Sequence, residues 1–211
     1  MTASISVPGQ KRAICVYCGS SMGSDPIYEA SAGRLGSAMV AAGFDLVYGG
    51  GGTGMMGEVA RSVLAAGGQV TGIIPDFLKA REAHLKTVSE LIVTDDMHQR
   101  KMLMFQRADA FVAMPGGIGT LEELIEQMTW AQLGRHTKPI IIADIAGFWS
   151  PLLSLLDHMQ DAAFLRLPKP DADRPALFHV VSEVAEIVPR IEGLLAAARQ
   201  PGPEDEITGR F

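Results

Sequence analysis

Short apolar runs alternate with longer amphipathic stretches along most of the chain. The runs fall at residues 13–18 (AICVYC), 45–48 (DLVY), 69–74 (QVTGII), 90–93, 110–114 (AFVAM) and 139–143 (PIIIA). Most are apolar at nearly every position and too short for a helix, as expected of strands covered on both faces. Between them, residues 27–42, 56–66, 97–107, 121–133 and 149–160 carry apolar side chains at helical spacing, and a last helix is expected over 181–198. Gly43 and Gly67-Gly68 stand where the first two helices should stop. Residues 76–89 read as a polar loop. Strands alternating with helices of this length form βαβ units, so the expected fold is α/β, a doubly wound parallel sheet flanked by helices. One domain is expected over residues 12–198, with a flexible arm at 1–11, where Pro8 and Gly9 interrupt small polar residues, and a flexible tail at 199–211.

Ligands of such sheets bind outside the carboxyl ends of the strands. Functional residues should therefore follow Cys18, Tyr48, Ile74, Val93 and Met114. The first of these loops, Cys18-Gly19-Ser20-Ser21, suits either a phosphate or the capping of the next helix. The second runs from Gly49 through Gly50, Gly51 and Gly52 to Thr53 and Gly54. Consecutive glycines carry an entropic cost and make sense where backbone approaches something closely. The following helix would then point free N–H groups at an anion. The string matches G-x-G-x-x-G, but after the second strand rather than the first, and no Lys-Ser/Thr follows to make a P-loop. A nicotinamide-dependent oxidoreductase is the reading it suggests.

The third loop, Pro115-Gly116-Gly117-Ile118-Gly119-Thr120, opens a helix with Glu122 and Glu123 in its first turn. Leu121, Leu124, Ile125, Met128 and Ala131 form the expected core stripe, and neither glutamate lies on it. Both would complement the helix dipole. They also share the mouth with two anion-cradling loops. A ligand with an anionic end and a centre that becomes cationic would use both, and a ribose 5′-phosphate losing its glycosidic bond is one. Asp95 or Asp96 should cap the helix over 97–107. Arg100 and Lys101 in its first turns are either a surface pair or phosphate contacts.

Composition narrows the classes. Of 211 residues 47% are hydrophobic and 20% charged, which excludes a disordered chain. The net charge of −6 argues against a nucleic-acid partner. No run of about 18 apolar residues suggests a membrane span, and no apolar region after the first residues suggests a secretory leader. Two cysteines and 11 methionines fit a reducing cytoplasm. Cys15 of Cys15-x-x-Cys18 lies within a strand and should be an inert core thiol. Asp96 and His98 lack further ligands for a metal. His84, His136, His158 and His179 stand in no nucleophile pattern.

Cys18-Gly19-Ser20-Ser21, Tyr48-Gly49-Gly50-Gly51, Met97-His98-Gln99-Arg100-Lys101 and Pro115-Gly116-Gly117-Ile118-Gly119-Thr120-Leu121-Glu122-Glu123 together resemble the LONELY GUY proteins. These are cytokinin riboside 5′-monophosphate phosphoribohydrolases with a P-G-G-x-G-T-x-x-E signature, and many were once labelled lysine decarboxylases. The resemblance runs from about Ala13 to Ala198. It implies a Rossmann-like homodimer that hydrolyses the N-glycosidic bond of AMP or an N6-modified AMP to free base and ribose 5-phosphate, without cofactor or metal. It implies Arg100 and Glu123 as the catalytic pair. Glu82, Lys101, Gly116 to Glu122, and Thr129 map onto binding positions. Ala80-Arg81-Glu82 replaces the proline of the family's P-R-E string. The backbone of Gly117, Gly119 and Thr120 would hold the phosphate, with Gly19, Ser20, Gly50, Gly51 and Gly54 as further phosphate or ribose contacts. A nucleotide-binding module without catalysis is a third class, and retention of both Arg100 and Glu123 argues against it.

Overall fold

The computed structural model describes residues 11–79, 84–165 and 176–198. Strands β1 (Ala13–Tyr17), β2 (Asp45–Tyr48), β3 (Val70–Pro75), β4 (Glu90–Thr94), β5 (Ala110–Ala113), β6 (Ile140–Ala143) and β7 (His179–Val181) form one sheet. Their order is β4-β3-β2-β1-β5-β6-β7, and every strand pairing is parallel. The helices are α1 (Pro26–Ala41), α2 (Gly54–Ala65), α3 (Asp76–Lys79), α4 (Met97–Arg107), α5 (Ile118–Gln132), α6 (Ser150–Asp161) and α7 (Val184–Ala197).

Strands β1, β5 and β6 are buried at every position, because helices cover both faces of the sheet. One core forms against α1, α2 and α7, the other against α4, α5 and α6. Edge strand β4 leaves Glu90 and Val93 exposed, and Glu90 pairs with Arg107 at 2.6 Å. Charge on an edge discourages pairing with another chain. Helix α1 starts where Asp25 accepts a hydrogen bond from the Ile27 N–H at 2.9 Å, with Pro26 in its first turn. A Cβ at Gly36 would lie 2.8 Å from Ser62 Cβ and the Val59 carbonyl, so a glycine there lets α1 and α2 pack closely.

The chain builds outward from β1 to β4 and then returns to place β5 beside β1. The loops leaving β1 and β5 therefore lead to helices on opposite faces, and a crevice opens between them. Helix α4 makes the return crossing. Its first turn lies beneath the carboxyl ends of β3 and β2, which determines where Arg100 ends up.

Three features depart from the sequence reading. Residues 179–181 form a seventh strand, where only the helix beginning at 181 was expected. Helix α3 and a bridge between His84 and Gly51 occupy part of the expected loop over 76–89. Helix α5 starts three residues early, within the glycine loop. Its buried face is Thr120, Glu123, Leu124, Gln127 and Met128, while Ile125, expected in the core, is 37% exposed. That face has the usual three-and-four spacing, but Thr120 and Glu123 on it are turned to Gly116 and Arg100, so an apolar stripe misplaces it. Apart from exposed Lys11, the expected arm and tail lie outside the described residues.

Candidate active site

Asp96 caps α4 by accepting from the Gln99 N–H at 2.7 Å. One turn on, Arg100 faces inward and is only 9% exposed. Its Nε donates to the Ile73 carbonyl at 3.2 Å and its Nη2 to the Gly49 carbonyl at 3.5 Å. The same Nη2 lies 3.6 Å from Glu123 Oε1. A Cβ at Gly49 would overlap this guanidinium, so bare backbone is required there. Glu123 is itself 9% exposed. Burial pushes its carboxyl up to about 7; the Arg100 guanidinium opposes that shift and the Glu122 charge adds to it. A carboxyl poised near neutrality beside a fixed guanidinium suits proton transfer and stabilisation of a cation.

Outside this pair, Lys101 Nζ donates to Glu122 at 2.6 Å and to Glu126 at 2.9 Å, tying α4 to α5. Burial alone would lower the ammonium, but the hydrogen bonds to the two glutamates outweigh it and raise it. Glu126 was not singled out as a site residue, although its spacing of four from Glu122 was visible. Thr129 is exposed on the outer face of α5, and its hydroxyl donates to the Ile125 carbonyl at 2.7 Å. Leu121 is half-buried. Glu82 lies outside the described residues.

Gly117 is the N-cap of α5, no side chain caps it, and the first intrahelical bond runs from Leu121 N–H to the Gly117 carbonyl at 3.0 Å. The N–H groups of Gly117, Ile118, Gly119 and Thr120 have no backbone partner among the described residues. A Cβ at Gly117 or Gly119 would meet nothing within 4 Å, so this helix end faces open space. Gly116 differs, because the Thr120 side chain packs onto it and Gly19 N lies 2.9 Å from where its Cβ would be. The Gly19 N–H donates to the Pro115 carbonyl at 3.0 Å, which joins the first and third loops. Beside them lies a cleft of about 310 Å³ lined by Ser20, Ser21, Tyr28, Met55, Gly117 and Phe148.

The second loop has a different role from the one expected. Met55 N–H donates to the Ser21 carbonyl at 3.3 Å and Met56 N–H to the Gly19 carbonyl at 3.2 Å. The Thr53 hydroxyl donates to the Ser20 carbonyl at 3.2 Å. Gly54 has φ +59°, and a Cβ there would overlap Ser20 and Ser21 backbone. The free N–H groups expected at the start of α2 are therefore occupied by the first loop. Gly50 packs against Ile74, and Gly51 against Met56. These glycines let chain approach chain. Cys15 and Cys18 are free and buried, and burial pushes both thiols far up, as fits core thiols. No helix among the described residues is long and apolar enough to cross a membrane.

A parallel α/β sheet whose switch point carries an open helix N-terminus beside a buried carboxylate–guanidinium pair has the form of an α/β protein with an anion-binding crevice. Residues 56–191 match the family model described as possible lysine decarboxylase. The chain is 48% identical over 160 residues to the probable cytokinin riboside 5′-monophosphate phosphoribohydrolase LOGL2 of Oryza sativa subsp. japonica, covering 76% of this chain and 66% of that one. It is 43% identical over 184 residues to the cytokinin riboside 5′-monophosphate phosphoribohydrolase LOG1 of Arabidopsis thaliana, covering 85% of each. The chain belongs to the LONELY GUY family of phosphoribohydrolases. A similar fold is seen in the Moco carrier protein of Chlamydomonas reinhardtii, with a TM-score of 0.65 and 23% identity over 89% of this chain and 99% of that one.

Proposed function

We propose that this protein hydrolyses the N-glycosidic bond of AMP-type nucleoside 5′-monophosphates, N6-modified ones included, and releases free base and ribose 5-phosphate. The observation that carries this reading is the placement of Glu123 one turn into α5, beside Arg100 and below an open helix N-terminus. The N–H groups of Gly117 to Thr120 would receive the phosphate, aided by the helix dipole. Glu123 follows Ile118 by five residues, about 7.5 Å along the axis. That suits a ribose 5-phosphate with its phosphate at the helix end and C1′ at the carboxylate. There Glu123 would stabilise the oxocarbenium-like transition state and take the proton of the attacking water. Arg100 is held by two backbone carbonyls, so it would orient Glu123 without reorganising and reach the ribose oxygens. Lys101 would act through Glu122 and Glu126, fixing α4 against α5. Gly19 and Ser20 would border the phosphate.

Occupation of the α2 N-terminus by the first loop removes the ground for a dinucleotide reading. We further propose a homodimer acting in a reducing compartment, supported by two free thiols and an apolar outer face on α5. Incubation of the protein with AMP and with N6-isopentenyl-AMP, followed by chromatography, tests the activity. Release of adenine or N6-isopentenyladenine with ribose 5-phosphate is the expected result, and no release from either nucleotide would refute it.

A further inference from the structure

Breaking the C1′–N9 bond of an adenine nucleotide leaves the bonding electron pair on the base. The base departs readily only if a ring nitrogen gains a proton as the bond breaks. Glu123 faces the other requirement, the cation and the water. A separate acid on the Arg100 side of the sheet mouth would complete the chemistry.

Most candidates among the described residues are in the wrong place. His98 is exposed and two residues before Arg100, so about 200° around α4 from it. His136 precedes β6 at the opposite end of the sheet, packed on Phe105 and Phe111. His179 begins β7 at that same opposite end, and His158 lies exposed on α6. Burial holds the proton firmly on the Tyr17 hydroxyl.

His84 is different. It is half-buried, and its backbone pairs antiparallel with Gly51, while the Leu85 N–H donates to the Gly50 carbonyl at 3.4 Å. Residues directly opposed in an antiparallel pair carry their Cβ atoms on the same face, about 4.5–5.5 Å apart. The face in question is marked by Met56. A Cβ at Gly51 would lie 3.4 Å from Met56 Sδ, and one at Gly49, two residues earlier, 3.5 Å from the same sulfur. The Gly49 position is also the one that the Arg100 guanidinium overlies. The pairing thus carries the His84 Cβ on the Met56 side of the loop, the side on which the Arg100 guanidinium overlies Gly49.

We propose that His84, presented at the sheet mouth by its pairing with Gly51, is the acid that protonates the departing base. The proposal rests on the phosphoribohydrolase reading above. The C1′–N9 bond breaks and its electron pair goes to the base. The imidazolium gives its proton to a ring nitrogen of that base. Water adds to C1′ and loses a proton to Glu123. Exchange with solvent then returns a proton to the imidazole and removes one from Glu123. The sum is nucleotide plus water giving base plus ribose 5-phosphate.

The test uses wild type, His84→Ala and His84→Gln, with His158→Ala as a surface control. Substrates are AMP and 4-nitrophenyl ribofuranoside 5-phosphate, whose nitrophenolate leaves without a proton. Both His84 variants should lose on the order of 100-fold in turnover of AMP, the scale of general acid catalysis. Cleavage of the nitrophenyl substrate should stay within about threefold of wild type, because no proton is required there. A similar loss on both substrates would mean a merely structural role and overturn the proposal. So would undiminished AMP turnover in both variants while wild type is active. The backbone pairing does not need the imidazole, so His84→Gln keeps the test open if His84→Ala melts early. A wild-type protein that releases no base would overturn the hydrolase reading itself.

Discussion

At the scale of single residues, Glu123 sets function against stability. Its carboxyl is raised from 4.5 to about 7, chiefly by burial. Below pH 4.5 folded and unfolded chains both hold the proton, and the residue is neutral toward folding. Between about 4.5 and 7 the unfolded chain releases it while the folded one keeps it, so stability falls as pH rises. Above 7 the full penalty, about 3 kcal/mol, is present. Glu123→Gln copies the protonated form and leaves Arg100 its bonds to Ile73 and Gly49. The variant should melt several degrees above wild type at pH 8 and at the same temperature near pH 4.5. Its turnover should drop by about two to three orders of magnitude with AMP binding largely kept, since a charge-stabilising group acts in the transition state. Retention of more than about a tenth of wild-type turnover would show that Glu123 is not the catalytic carboxylate. Because the carboxylate is the working form, wild-type cleavage of 4-nitrophenyl ribofuranoside 5-phosphate, which needs no proton from His84, should rise through pH 7 from the acid side, and this limb should vanish in Glu123→Gln. Arg100→Ala should weaken both binding and turnover.

At the scale of elements, the glycine loops look alike as text and differ in space. Gly54 has positive φ and touches the first loop, while Gly117 has φ −90° and open space before it. Gly54→Ala should therefore cost about 1–3 kcal/mol, read as an earlier melting transition. Gly117→Ala should leave melting unchanged but raise KM for AMP, because its methyl would enter the phosphate's space; an unaltered KM would place the phosphate elsewhere. Pattern reading found both loops because glycine and strand ends are local signals. It could not tell which was open, since the partner of the second loop is another loop more than thirty residues away. For the same reason the start of α5 was misplaced: Ile118-Gly119-Thr120 carries no apolar period of its own. Arg100 read equally well as a surface cation until the crossing of α4 beneath β3 and β2 buried it. Strand β7 was missed because three residues offer too short a pattern beside the helix that follows.

At the scale of the whole molecule, alternation of strands and helices predicted a parallel sheet, but strand order follows from long-range packing that no local pattern encodes. The reversal beside β1 is what gathers the first and third loops with α4 at one mouth. That arrangement leaves the outer face of α5 turned to solvent, carrying Ile118, Glu122, Ile125, Thr129 and Leu133 at spacings of three and four. Ile118 is 82% exposed and Leu133 72%; α6 on the same side of the sheet adds Leu155 and Met159, and Phe164 follows just past its end. Apolar side chains so clustered usually mark an interface. A second copy of the chain is the proposed occupant. Light scattering at micromolar concentration should give twice the mass of one chain. Ile125→Asp combined with Leu133→Asp places two charges on this face without touching Arg100, Glu123 or the α5 N-terminus. That double variant should run as a folded monomer with an unchanged circular dichroism spectrum. A wild-type protein found only as single chains would refute the dimer, and a double variant that still dimerises would move its interface off α5.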